Sequence, residues 1–152
     1  MLSWRITFSQ VPGALGIACG LVVAGILAPK DTYFLPNAFF YWVPQLIVLL
    51  LLIPLRASAA VVAGVSFALA AYLAAFGAWV FTRQHPDSMA WLGYVFSFPG
   101  AALGALSGTL WLRDQPKMVP LAKGCVAAVA VLLWLTLNQA LVCITVIYCG
   151  GK

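Results

Sequence analysis

The sequence predicts an all-α integral membrane protein: one polytopic domain of about five transmembrane helices, N-terminus cytoplasmic and C-terminus outside. Composition is the first reason. Of 152 residues, 64% are apolar and 7% charged, with a mean hydropathy of +1.06, whereas a soluble domain carries about a quarter charged residues and slightly under half apolar ones. The second reason is where the charges fall: Arg5, Lys30, Asp31, Arg56, Arg83, Asp87, Arg113, Asp114, Lys117, Lys123 and Lys152 leave uncharged windows of 24, 24, 26, 25 and 28 residues. A hydrocarbon core of about 30 Å takes roughly 20 residues of helix, so each window suits a single crossing. Strands would need alternating polarity in a closed barrel, and runs such as 46–53 do not alternate.

The spans are expected at about 11–28, 38–55, 58–81, 90–112 and 119–147. Pro29 follows the first and Asn37 precedes the second. The link of Pro54, Leu55, Arg56 and Ala57 is so short that spans two and three must be antiparallel neighbours. Asp87 or Ser88, after Pro86, is a candidate cap for the fourth span, and Pro116 and Pro120 bracket the start of the fifth. The first run, led by Arg5, also has the outline of a cleaved signal peptide. The run ends in Ile26, Leu27, Ala28; it is longer than a usual signal core and the residue two before Ala28 is a large Ile, which favours a retained helix.

Orientation rests on positive charge. Five crossings put Arg5, Arg56, Arg113, Lys117 and Lys123 on one side and Lys30, Arg83 and Lys152 on the other, and the richer side is expected to be cytoplasmic. Trp4 and Trp111 fall near one face, and Tyr41, Trp42, Trp79, Trp91 and Tyr148 near the other, as interfacial rings would; Trp134 lies mid-span.

Small residues four apart form the grooves through which membrane helices pack. Gly16, Gly20 and Ala24 make one such stripe, with Gly13 a turn before, and Gly100, Gly104 and Gly108 another. The third span carries Ala60, Gly64 and Ala68, and Ala70, Ala74 and Ala78. These stripes serve contacts within the bundle, or one of them, that of the fourth span, faces another membrane protein or a second copy of the chain. Pro99 should kink the fourth span; Pro44 either kinks the second or sits harmlessly in its first turns.

Polar residues within the spans are few: Gln45, Ser66, Ser97, Ser107, Thr109, Thr136, Asn138, Gln139 and Thr145. Asn138 and Gln139 point about 100° apart and so cannot share one partner face. They either pin the fifth helix by interhelical hydrogen bonds or line a polar surface for a substrate or partner. No span contains an acid, which argues against proton-coupled antiport. Lys123 is expected to snorkel to the cytoplasmic interface and to form, with Arg113 and Lys117, a small patch suited to anionic headgroups. The patch is too small and too interrupted by Asp114 for nucleic acid.

Three acids, no glutamate and one histidine leave little for proton chemistry, so no enzyme activity is expected. His85 beside Asp87 has the character of a solvated turn. Cys19, Cys125, Cys143 and Cys149 form no metal-binding spacing, so no metal or cofactor is expected. Cys143 and Cys149 are six apart, too far for a bridge along one continuous helix, and the four are expected to be structural thiols. What remains is a small protein of a bacterial inner membrane, surrounded by the lipid bilayer and acting by lateral helix contact with another membrane protein or with itself. It would then be an assembly subunit or an immunity protein against a membrane-inserting toxin. The alternative is a small oligomeric transporter or channel for an ion or small solute, motivated by the two prolines and the amides at 138 and 139.

Overall fold

The computed structural model describes residues 11–82 and 90–145. The His85–Asp87 turn, the caps at Asp87 and Ser88, the retained or cleaved start of the chain, and Tyr148 and Cys149 lie outside them. Six helical segments follow in order: α1 (Val11–Leu27), α2 (Phe34–Leu50), α3 (Ala59–Phe81), α4 (Ala90–Phe96), α5 (Phe98–Arg113) and α6 (Pro120–Thr145). The segments α4 and α5 are halves of one rod interrupted at Ser97, so the architecture is five rods. Three of them (α3, the stretch Trp91–Arg113, and α6) are long and apolar enough to cross a membrane, and α1 and α2 are shorter apolar helices. By composition and helix length the chain is a multi-pass membrane protein.

The second helix departs from the predicted bounds at both ends. It starts at Phe34, four residues early, because Pro36 falls in the first turn, where a missing N–H costs nothing. Asn37 is therefore the fourth residue of the helix instead of preceding it. Pro44 sits well inside it, where it removes the N–H that would bond the Phe40 carbonyl. Beyond Leu50 the chain tightens into turns, and Pro54 prevents regular continuation. The end is closed by Arg56 N–H to the Ile53 carbonyl at 3.0 Å and Ala57 N–H to the Leu52 carbonyl at 3.3 Å, the bond pair of a Schellman cap. Arg56 takes the left-handed position of that cap, φ 51°, the one non-glycine residue with positive φ among those described. A side chain there costs about 1–2 kcal/mol, which is why glycine usually occupies it.

Pro99 interrupts the fourth rod as expected, two residues upstream of itself. Ser97 N–H bonds the Tyr94 carbonyl at 3.2 Å and Gly100 N–H turns to the Ser97 carbonyl at 3.1 Å. These tighter bonds leave the Phe96 carbonyl without its usual donor from Gly100. In α6, Pro120 occupies the first helical position, where its fixed φ fits.

Helix directions follow from the side-by-side contacts. Gly13 faces Ala59 and Val62, Gly16 faces Ser66, and Leu27 lies on Gly77, so α1 and α3 run parallel. Gly100 faces Trp134 and Asn138, Gly104 faces Ala130 and Val131, and Gly108 faces Ala127 and Ala130, so α5 and α6 run antiparallel. The rods thus alternate in direction, and the starts of α1, α3 and α6 share one end with the ends of α2 and α5. Buried positions lie all round α3, which touches every other helix and forms the axis of the bundle. Only Ala127, Val131, Leu135 and Val142 of α6 are buried, so most of that helix faces outward.

Candidate functional site

Gln45, Ser97, Asn138 and Gln139 lie in the half of the bundle where α2, α3, α4 and α6 approach one another. Gln45, Tyr94 and Ser97 are 2%, 0% and 0% exposed, and a polar group at that depth must find a partner inside the protein. The Gln45 amide donates to the Tyr94 hydroxyl at 3.2 Å, and that hydroxyl donates to the Tyr41 carbonyl at 2.8 Å. The acceptor lies one residue past Phe40, in the turn that Pro44 loosens. Ser97 returns its hydroxyl to the Tyr94 carbonyl at 2.6 Å.

Asn138 and Gln139 address different helices. Asn138 Nδ2 donates at 2.7 Å to the Phe96 carbonyl, the acceptor freed by the break at Ser97. Gln139 Oε1 accepts from the Tyr72 hydroxyl at 3.3 Å, and its Nε2 donates to Cys143 Sγ at 3.6 Å. The two amides tie α6 to α4 and to α3 respectively. Ser66, Ser107, Thr109, Thr136 and Thr145 each bond a carbonyl of their own helix. Among the described residues no buried side-chain nitrogen or oxygen lacks a partner.

Aromatic rings surround this node. Tyr41 stacks on Trp91 with centroids 4.1 Å apart, and Tyr94 packs on Tyr72, Phe76 and Phe98. Tyr41 is thus buried between helices and Trp91 partly so, each against an aromatic partner on a neighbouring helix. Tyr72 and Tyr94 were not singled out in the sequence, although a tyrosine mid-span is itself a signal, because its hydroxyl must be bonded there.

Each glycine of the two stripes is occupied by a neighbouring helix. A Cβ on Gly16 would stand 2.6 Å from Ser66 Cβ, one on Gly20 2.6 Å from Gln45 Oε1, and one on Gly104 2.7 Å from the Ala130 carbonyl. Gly100 is pressed against the Trp134 backbone and Gly108 against Ala130. The closest approach, missed in the sequence, is Gly64 against the Gly124 backbone, where α3 crosses α6.

Among the concave features, a cleft of about 240 Å³ lies beside Asn37, Phe40, Tyr41, Trp91 and Leu92, and two others bear on function. A groove of about 450 Å³ runs between α3 and α6, lined by Ala60, Ala63, Gly64, Gly124, Cys125 and Ala128, with Phe67 and Leu121 exposed on its flanks. A smaller cavity of about 170 Å³ lies where α2 and α5 end and α3 and α6 begin, and carries Arg56, Arg113 and Lys123. It gathers Arg113 and Lys123 as the sequence suggested, but joins them to Arg56; Lys117 is not part of its wall. Cys19 and Cys125 are free and exposed. Cys143 is disulfide-bonded, which corrects the expectation of a structural thiol there. No known family, curated protein or solved structure matches this chain.

Proposed function

We propose that the chain is a five-crossing membrane protein that acts without catalysis, by holding a transmembrane helix of a partner membrane protein in the groove between α3 and α6. The groove is the observation that carries this reading. Its walls are short side chains, Ala60, Ala63, Cys125 and Ala128, laid over the close crossing of α3 and α6 at Gly64 and Gly124, and a surface of such small residues lets a further helix approach closely enough to gain packing energy. An assembly subunit and an immunity protein both fit this role. Gly16 and Gly20 of α1 and Gly100, Gly104 and Gly108 of α5 are already filled from within, whereas the groove is a concave small-residue surface that no helix of the chain fills. Transport draws less support, because the amides that would line a pathway spend their hydrogen bonds on Phe96, Tyr72 and Cys143.

Cys125 is a free, exposed thiol in the groove wall, and it provides the test. Bismaleimide treatment of native membranes should join Cys125 to one discrete partner band, and Ala128→Leu should abolish that band while the protein still purifies as a folded monomer. Failure to crosslink, together with ion or solute flux from liposomes holding the purified protein, would overturn the proposal in favour of transport. A band at twice the chain's own mass would identify the partner as a second copy.

The orientation with the N-terminus cytoplasmic is part of the proposal. It is supported by the excess of Lys and Arg at the end where α1, α3 and α6 begin. It is also supported by the disulfide at Cys143, near the far end of α6, since disulfides persist on the oxidising side of a membrane.

A further inference from the structure

We infer that the cavity at the junction of α2, α3, α5 and α6 binds a phosphate group, presented by an anionic lipid headgroup or by a soluble phosphate. Three cationic side chains, Arg56, Arg113 and Lys123, come from three separate elements to line one cavity of about 170 Å³, and no aspartate or glutamate lines it. Ser58 and Val61, also in the wall, belong to the start of α3. Ser58 makes no side-chain capping bond there, so the first N–H groups of a 23-residue helix add their donors and the positive end of its dipole to the same space. Lys123 is half-buried at the entrance of α6.

Arg56 supplies an independent argument. The chain holds an arginine in the left-handed position of a cap that glycine fills without strain, and this side chain, exposed at the rim like Arg113, lines the mouth of the cavity. A merely positive membrane face would be served as well by an arginine one residue away, in relaxed backbone. Backbone strain tolerated at a residue that completes a ring of cations fits a requirement for that cation at that spot. The ring lies at one end of the helices, the level at which phosphates of a bilayer sit beside a protein of this length.

The test uses the purified protein, with native mass spectrometry counting adducts of phosphatidylglycerol and of phosphatidylcholine, and calorimetry with inorganic phosphate. Retained phosphatidylglycerol is expected to fall about fivefold to tenfold for each of Arg56→Gly, Arg113→Gln and Lys123→Gln. Phosphatidylcholine should be unaffected, and Lys117→Gln, which removes a charge outside the cavity wall, should change little. Arg56→Gly relaxes the backbone, so its thermal midpoint should hold or rise while binding falls, separating ligand loss from misfolding. If inorganic phosphate binds and phosphatidylglycerol does not, the site stands with a soluble ligand. Equal losses in Lys117→Gln and the cavity variants would reduce the effect to diffuse surface charge and overturn the inference, as would absence of binding by either probe.

Discussion

Asn138 illustrates how far a single residue could be understood in advance. That two adjacent amides in a membrane helix would bond different neighbours follows from helix geometry, but the identity of the acceptor does not. The Phe96 carbonyl becomes available only because Pro99 breaks the ladder of its own rod, so a lesion in α4–α5 and an amide in α6 form one unit. Asn138→Leu should therefore cost about 0.6–1.7 kcal/mol of stability, measured by reversible unfolding in mixed micelles. In a Pro99→Ala background, the restored N–H lets the rod close its ladder and Gly100 return to Phe96. The cost of Asn138→Leu should then shrink, giving a coupling energy of at least 0.5 kcal/mol or so between two residues 39 apart. Strict additivity would mean that Asn138 does not serve the break.

At the scale of elements, windows between charges located all five rods, because charge exclusion from hydrocarbon acts on segments and needs no tertiary knowledge. Bounds set by turn chemistry were less legible. Pro36 was compatible with a helix start on either side of it, and the turns of 51–56 depended on a left-handed arginine that no propensity would suggest. Glycine stripes were legible as packing surfaces, whereas the pairing of Gly64 with Gly124 was not, since it joins two helices 60 residues apart. The stripes also separate into positions that tolerate a side chain and positions that do not. Gly25 has open space where a Cβ would go, so Gly25→Ala should be neutral or stabilise by up to about 1 kcal/mol through helix propensity. Gly64→Ala drives a methyl into the Gly124 backbone and should destabilise by about 1–3 kcal/mol or prevent α3 and α6 from docking. The readouts are the unfolding midpoint and the yield of monodisperse protein. Similar behaviour of the two variants would dissolve the distinction. Gly104→Leu is unsuited to testing partner binding for the same reason, because it would break the α5–α6 contact first.

For the whole molecule, charge asymmetry and the disulfide are independent signs of one orientation. Five Lys and Arg against three is a small bias, whereas a disulfide near the end of α6 depends on the redox state of the compartment and on nothing in the charge count. From the sequence, rise along a continuous helix separates Cys143 from Cys149 too far for a bridge, which left structural thiols as the expectation. Both signs can be checked together. With the N-terminus inside, a C-terminal alkaline phosphatase fusion should be active and a C-terminal green fluorescent protein fusion dark. In intact spheroplasts, a membrane-impermeant phosphine should reduce the Cys143 bond, so that a charged maleimide then labels Cys143 in a Cys19→Ala, Cys125→Ala background. The opposite fusion pattern, with labelling only after the membrane is opened, would invert the protein and move the cationic cavity to the outer face. A disulfide held on the reducing side of the membrane would then need a kinetic explanation, and the rule of positive charge inside would fail for a chain whose spans it otherwise describes well.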